Sequence, residues 1–321
     1  MVNVVPVVFA FDDNFKVPSW VAVKSLIDNA FNETFYDIYI VYSRLNDENI
    51  KAFSSLKNNH CNISFIKIDN SRFDNMPKSE AWPYEVYYRL IIPELLPQYD
   101  KVIYSDVDVM FKGDMSGLYN EDISEYQCAA VPAERKDESD GIHQHFAEYE
   151  NDYVYLSGFM FLNTKRMREE NTVAKFFENM KKYEKRLKMF DLEVFNLSCN
   201  KIKPIGYEYC VLENTYYGDY EKAPEYRFLK NVFSGEELAK AKAFPKIVHY
   251  AGGKVKMWKK TSPDPEYKAY ILSAPFAEEY LKRIRMKKAM KLLNPLWWFL
   301  SKAAPVKKQR KKFKNILRGN Y

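Results

Sequence analysis

From Leu281 to Tyr321 the chain has no acidic residue, against 14 Lys and Arg. The first 280 residues hold 35 basic and 43 acidic residues, a net of −8, so the overall charge of +6 hides an acidic body and a basic tail. This asymmetry predicts a boundary near residue 280 and different partners on its two sides. Cysteine is scarce: Cys61, Cys128, Cys199 and Cys210 are widely spaced, with no CxxC pair. That pattern reads as inert thiols in a reduced compartment. No apolar run approaches the length of a transmembrane helix. Met1-Val2-Asn3 runs straight into Val4–Phe9 without a basic leader, so a cytoplasmic chain is expected. Also missing is a glycine-rich basic loop after the first apolar run, where AFDDNF stands instead. A nucleotidyltransferase would need such a phosphate cradle.

What is present is a globular composition, 47% hydrophobic and 16% aromatic over 321 residues, enough for a sizeable core. Val4–Phe9, Ile38–Tyr42 and Ile63–Ile68 read as buried strands. Trp20–Asn29 and Asn46–Lys57 read as helices between them, the second capped by Asn46 or Asp47. Strands alternating with helices predict a doubly wound α/β sheet, with ligands at the carboxyl ends of the strands. Ser71–Pro83 is irregular and suits a mobile loop over the site. Helices are expected over Tyr84–Leu96 and Thr164–Lys188, and strands over Ala129–Pro132 and Tyr155–Asn163.

The chemistry concentrates in Lys101–Phe111, KVIYSDVDVMF. A strand through Val102–Tyr104 ends in Ser105-Asp106-Val107-Asp108. Alternation puts Asp106 and Asp108 on one side of the backbone and Val107 on the other. Paired carboxylates repel unless a cation lies between them. Mn²⁺ or Mg²⁺ suits such oxygen ligands and keeps open positions for a diphosphate. A polar turn after a strand is the plain alternative.

Other candidates also carry two readings. Asp12, Asn14 and Phe15, after the first strand, could hold a base and ribose or form a polar turn. Arg89, set among Tyr88, Leu90 and Ile91, is either paired structurally or turned toward Asp106 and Asp108. His143 and His145 have metal-like spacing, though surface histidines are commoner. Ser157-Gly158 lets a ligand approach the backbone. Asp191 is a helix N-cap, or a sugar ligand or catalytic carboxylate. In IVHYAGGKVKMW, His249 could be a third metal ligand and Lys256 a phosphate clamp.

Five blocks in order, VVFAFDDNF, YYRLIIPELLPQYDKVIYSDVDVMF, YLSGFMFLNTKRMRE, FDLEVFNLSC and IVHYAGGKVKMW, resemble the retaining glycosyltransferases of family 8 over about residues 4–270. That family groups bacterial lipopolysaccharide galactosyl- and glucosyltransferases with glycogenin. The resemblance implies a GT-A type fold, a Rossmann-like doubly wound mixed sheet. It implies Mn²⁺ (or Mg²⁺) on Asp106, Asp108 and His249, bridging the phosphates of a UDP-hexose. It also implies Ala10, Asp12, Asn14 and Phe15 around uridine, with Phe15 where the family usually has tyrosine. Arg89, Val107, Ser157, Gly158 and Asp191 would line the donor, Asp191 bonding sugar hydroxyls. Gly252 and Lys256 would close over the pyrophosphate, making Asp191, Lys256 and Arg89 the catalytic set.

Two departures stand out. The family commonly has Asn-Ser-Gly or Asn-Ala-Gly where this chain reads Leu156-Ser157-Gly158, and Asp-Gln where it reads Asp191-Leu192, so both side-chain amides are missing. Without a glutamine at Leu192, a mechanism using that side chain on the β-face cannot operate. Front-face departure and attack within one ion-pair-like transition state is the mechanism expected. A catalytically weak UDP-sugar-binding protein is the alternative.

The tail pairs Pro295-Leu296-Trp297-Trp298-Phe299-Leu300 with KKQRKKFKNILR. Aromatics beside a polybasic run suit an anionic membrane surface. Residues 281–321 are therefore expected to hold the chain at the inner face of the plasma membrane, beside a glycan or glycolipid acceptor. A helix packed on the body and a nucleic-acid arm are the alternatives; nucleic acid is not expected as a partner.

Overall fold

In the computed structural model, the described residues are 3–74, 76, 84–137, 143–251 and 255–289. Most of the expected loop before Tyr84, Gly252, and residues 290–321 of the expected membrane tail lie outside them. The chain divides into two compact units, Met1–Lys254 and Val255–Tyr321.

The first unit is built on β1 (Asn3–Ala10), β2 (Thr34–Tyr42), β3 (Cys61–Lys67), β4 (Val102–Ser105) and β5 (Val109–Phe111). It continues through β6 (Cys128–Arg135), β7 (Tyr153–Leu162), β8 (Ile202–Pro204), β9 (Val211–Leu212) and β10 (Ile247–His249). Seven strands form one sheet in the order β3-β2-β1-β4-β7-β6-β8. β1 pairs in parallel with β2 and β4, whereas β7 runs antiparallel to both β4 and β6. The doubly wound sheet expected from the alternating pattern is present, and it is mixed, as the resemblance implies. Val5, Val7, Val8 and Phe9 read as a continuous apolar run because β1 is central and buried on both faces. Each such side chain contributes roughly 1.5–3 kcal/mol when fully buried.

The strand order reverses between β1 and β4. β1 leads outward to β2 and β3, while β4 lies on its other side with Phe9 opposite Ser105. Residues after Ala10 and after Ser105 therefore leave the sheet side by side, at the crevice where such folds bind ligands.

The apolar run through Asp106–Asp108 is not one strand. β4 ends at Ser105, and β5 joins a separate sheet of order β5-β10-β9. The two carboxylates thus sit on the crossover between sheets. Tyr84–Leu96 is also not one α-helix: it is 3₁₀ over Tyr84–Ile91 and α only over Ile92–Leu95. Pro93 lacks an N–H, and its ring would strike the Arg89 carbonyl in a continuous helix. The long helix expected over Thr164–Lys188 breaks at Asn171, whose φ of 52° is left-handed. Helices Thr164–Glu169 and Thr172–Tyr183 lie on either side of it.

In the second unit, the helix Pro265–Leu272 is capped by Asp264, which accepts from the N–H groups of Glu266 at 3.0 Å and Tyr267 at 3.1 Å. Residues 277–289 form another helix. Ile284 is buried and Met286 exposed. Arg283 donates to the Trp258 carbonyl at 3.0 Å. Among the described residues, no helix is long and apolar enough to cross a membrane.

Candidate active site at the sheet crossover

Asp106, Asp108 and His249 offer one ligand atom each, all within 4.8 Å of one another. Backbone pairing brings them together. Asp106 N–H donates to the Gly158 carbonyl at 2.7 Å, and Tyr250 N–H donates to the Asp108 carbonyl at 2.8 Å. The first bond holds Asp106 against β7. The second sets the end of β10, and with it His249, beside Asp108. His249 Nε2 lies 3.1 Å from Asp108 Oδ1, and its Nδ1 lies 3.3 Å from Cys210 Sγ. Burial disfavours a charged imidazole here, but Cys210 and Asp108 outweigh it and hold His249 well above its ordinary range.

Asp106 divides its two oxygens. Oδ1 accepts from Arg89 at 2.7 Å and from the Tyr104 hydroxyl at 2.8 Å. Oδ2 faces Gly158, where a β-carbon would lie 3.0 Å from it and 2.7 Å from His249 Cε1. Gly158 is therefore required by close approach, and the space it leaves adjoins the ligand atoms. Two carboxylates and one imidazole, beside backbone bare of a side chain, fit an oxygen-preferring divalent ion.

Arg89 binds this cluster to a third carboxylate, that of Asp191. Its Nη1 is 3.1 Å from Asp191 and donates to the Ser157 carbonyl at 2.7 Å, while its Nε donates to the Val86 carbonyl at 2.9 Å. The guanidinium also stacks 4.7 Å from the centroid of the Tyr104 ring. Burial opposes its charge, but Asp106 and Asp191 outweigh that and raise its pKa further. Asp191 is buried and accepts from Ser157 Oγ at 2.9 Å. Burial pushes its carboxyl upward, against the pull of Arg89. The N-cap of its helix is Phe190 rather than Asp191, which is the first helical residue and turns inward.

At the end of β1, Asp12 caps a short 3₁₀ turn. Its oxygens accept from Asn14 N–H at 2.9 Å and from Asn14 Nδ2 at 2.8 Å. The polar-turn reading therefore has its bonds in place. Ala10 is half-buried, and Phe15 is 37% exposed. Val107, between the two carboxylates on the crossover, is buried. Lys256 belongs to the second unit, with its ammonium 5.8 Å from the Trp258 ring centroid.

His143 and His145 are not solitary surface groups. Both bond the buried Glu134, at 2.7 Å from Nδ1 of His143 and 2.8 Å from Nε2 of His145. Two further contacts escaped the sequence. Tyr104 reads only as a strand residue, and Cys210, expected to be inert, touches His249 from 39 positions away. Neither has a local signal.

Comparison with solved structures defines the fold. The galactosyltransferase LgtC, in complex with donor and acceptor sugar analogs, superposes with a TM-score of 0.66 at 19% identity, covering 86% of this chain and 94% of that one. The likeness shows the fold, the GT-A type. The chain belongs to glycosyl transferase family 8, whose sequence profile matches residues 6–262. A putative glycosyltransferase of Haemophilus influenzae is 26% identical over 203 residues, 62% of this chain and 61% of that protein. A lipopolysaccharide 1,2-glucosyltransferase of Escherichia coli is 25% identical over 59% of this chain and 57% of that protein. These two alignments each cover less than two thirds of the relative. General stress protein A of Bacillus subtilis is 24% identical, over 84% of this chain and 92% of that one.

Proposed function

We propose that this protein is a metal-dependent retaining glycosyltransferase that moves a hexose, glucose or galactose, from a UDP-sugar to a glycan or glycolipid in bacterial cell-surface polysaccharide synthesis. The observation that carries the proposal is the meeting of Asp106, Asp108 and His249 within 4.8 Å, joined through Arg89 to the buried Asp191. Lipopolysaccharide glucosyl- and galactosyltransferases among the relatives support the substrate class.

Asp106, Asp108 and His249 would hold Mn²⁺ or Mg²⁺, which supplies electrostatic stabilisation of the departing diphosphate. Ala10, Asp12, Asn14 and Phe15 would hold the uridine, Phe15 stacking on the base. Val107, Ser157 and Gly158 would line the donor. Arg89 keeps Asp106 and Asp191 in fixed register, and Asp191 would bond hydroxyls of the transferred sugar. Lys256, with Gly252, would close on the pyrophosphate and offset charge on the leaving UDP. The bond from the anomeric carbon to the β-phosphate oxygen breaks, and the acceptor oxygen bonds that carbon on the same face. The acceptor's proton passes to the released phosphate.

A second reading is a catalytically weak UDP-sugar-binding protein. Leu192 favours it, being 8% exposed and packed in the core where the resemblance leads one to expect an amide. Residues 281–321 would bring the enzyme to the inner face of the plasma membrane, where a lipid-linked acceptor lies.

The deciding experiment is UDP release from a panel of UDP-sugars, with Mn²⁺ and with chelator, in the presence of candidate acceptors. Metal-dependent release from one sugar would establish the enzyme and its donor. Tight UDP binding with no release from any of them would favour the weak binder.

A further inference from the structure

Two residues beyond Asp191, on the same helix, Glu193 is completely buried. Its Oε2 accepts from two successive backbone N–H groups, Lys188 at 2.6 Å and Met189 at 3.1 Å. Its Oε1 has no hydrogen-bond partner among the described residues. Burial pushes this carboxyl upward, against the pull of the two N–H groups. A carboxyl buried with one oxygen unsatisfied is an expensive way to fill a core.

The turn that Glu193 grips is strained. Phe190 has φ 44° and ψ −89°, and only it and Asn171 have positive φ among the described non-glycine residues. A bulky side chain reaches such a conformation only where its surroundings impose it. The residue that follows is Asp191, whose Oδ2 lies 2.9 Å from Ser157 Oγ and 3.1 Å from Arg89. One end of the turn is fixed by Glu193, and the other delivers the carboxylate at the site. If Phe190 relaxed to negative φ, the chain direction entering Asp191 would change, and both contacts would be lost.

We propose that Glu193 is a positioning residue: it clamps the Lys188–Phe190 turn, keeps Phe190 at positive φ, and so sets Asp191 against Ser157 and Arg89. Its bearing on catalysis rests on the glycosyltransferase reading, in which Asp191 contacts the donor sugar. The clamp itself does not.

The test compares Glu193→Gln, which keeps the acceptor, with Glu193→Ala, which removes it. Glu193→Asp, one methylene shorter, withdraws the carboxylate while keeping its polarity, and serves if the alanine variant fails to fold. Hydrogen exchange at the Lys188 and Met189 amides, read by NMR, follows the clamp without any need for activity. Protection should persist in Glu193→Gln and be lost in Glu193→Ala or Glu193→Asp. The last two should lose about 10-fold or more in kcat for UDP release, with UDP affinity within about 2-fold, as expected when a group acts on the sugar rather than the nucleotide. Glutamine should restore both readouts. Amides that stay protected in Glu193→Ala would overturn the clamp. Amides that open while kcat holds, or a Glu193→Gln variant as slow as Glu193→Ala, would overturn the positioning role. A wild-type chain that releases no UDP would sink the proposed activity, while amide exchange still decides the clamp.

Discussion

Gly158 and His249 are packed so closely that one added carbon on Gly158 would lie 2.7 Å from the imidazole. The ring has little room to retreat, being buried and held at both nitrogens by Asp108 and Cys210. Gly158→Ala should therefore displace His249 and Asp106 together. Overpacking of this kind costs about 1–3 kcal/mol of stability. Mn²⁺ affinity, followed by electron paramagnetic resonance, should fall by about 10-fold, equivalent to about 1.4 kcal/mol. Wild-type Mn²⁺ affinity in a folded Gly158→Ala protein would move the metal site elsewhere.

Arg89 makes demands that lysine cannot meet. Its guanidinium reaches Val86, Ser157, Asp106 and Asp191 at once, from a position 6% exposed. Arg89→Lys keeps one charge but not the planar fork. Turnover should drop by about 10-fold or more, with a modest loss of stability. Arg89→Met leaves two carboxylates unpaired, and breaking a buried pair in this way costs about 3–5 kcal/mol. Calorimetry should show Met far below Lys; equal melting temperatures would mean that the ion pair contributes little.

For Asp191, the informative substitution is Asn, which keeps the shape and removes the charge. It should lower turnover about 100-fold while UDP affinity changes little, the pattern for a group acting on the transferred sugar. Turnover near wild type would remove Asp191 from the sugar site.

How much of this could be read in advance depended on range. β1 was visible because Val5–Phe9 is buried on both faces, and Asn46 was visible as a cap, which accepts from Asn49 N–H at 2.8 Å. The Asp106–Asp108 pair and Ser157-Gly158 announced themselves by local composition. Periodicity reports which face of an element is buried, but not which distant atom a side chain meets. So the Tyr104 hydroxyl, the Cys210 thiol and the Glu134 bridge between two histidines went unseen. The change of sheet after Ser105 was also hidden, because Val109–Phe111 is as apolar as the strand before it.

Asp114 ties the segment after β5 to β2. It accepts from Phe31 N–H at 3.0 Å, the Tyr36 hydroxyl at 3.0 Å and Ser116 N–H at 2.7 Å. Burial pushes its carboxyl upward, but Ser116, Phe31 and Tyr36 outweigh it and hold it below the usual range. Its folded pKa is thus lower than the unfolded value of about 3.9. The stability it contributes is present above the unfolded pKa and is lost as pH falls through the folded one. Hydrogen bonds to a charged group are worth roughly 1.5–3 kcal/mol. Asp114→Asn should lower the melting temperature at pH 7 and lose less on acidification below pH 4 than the parent does. Parallel acid limbs for the two proteins would exclude Asp114 as a source of acid sensitivity.

Membrane attachment can be tested without disturbing the described helix. Residues 290–321 carry nine Lys and Arg and no acid, beside Trp297, Trp298 and Phe299. Each basic residue near an anionic surface contributes about 1 kcal/mol, within a Debye length that shortens as salt rises. A chain ending at residue 289 keeps the helix over 277–289 and the buried Ile284. The full chain should sediment with phosphatidylglycerol vesicles at low salt and be released at high salt. The shortened chain should stay in the supernatant while releasing UDP from its donor at the parent rate. Equal sedimentation of both would move the membrane contact into the first 289 residues. A shortened chain that stays in solution but loses donor hydrolysis would make the tail part of the catalytic body rather than an anchor.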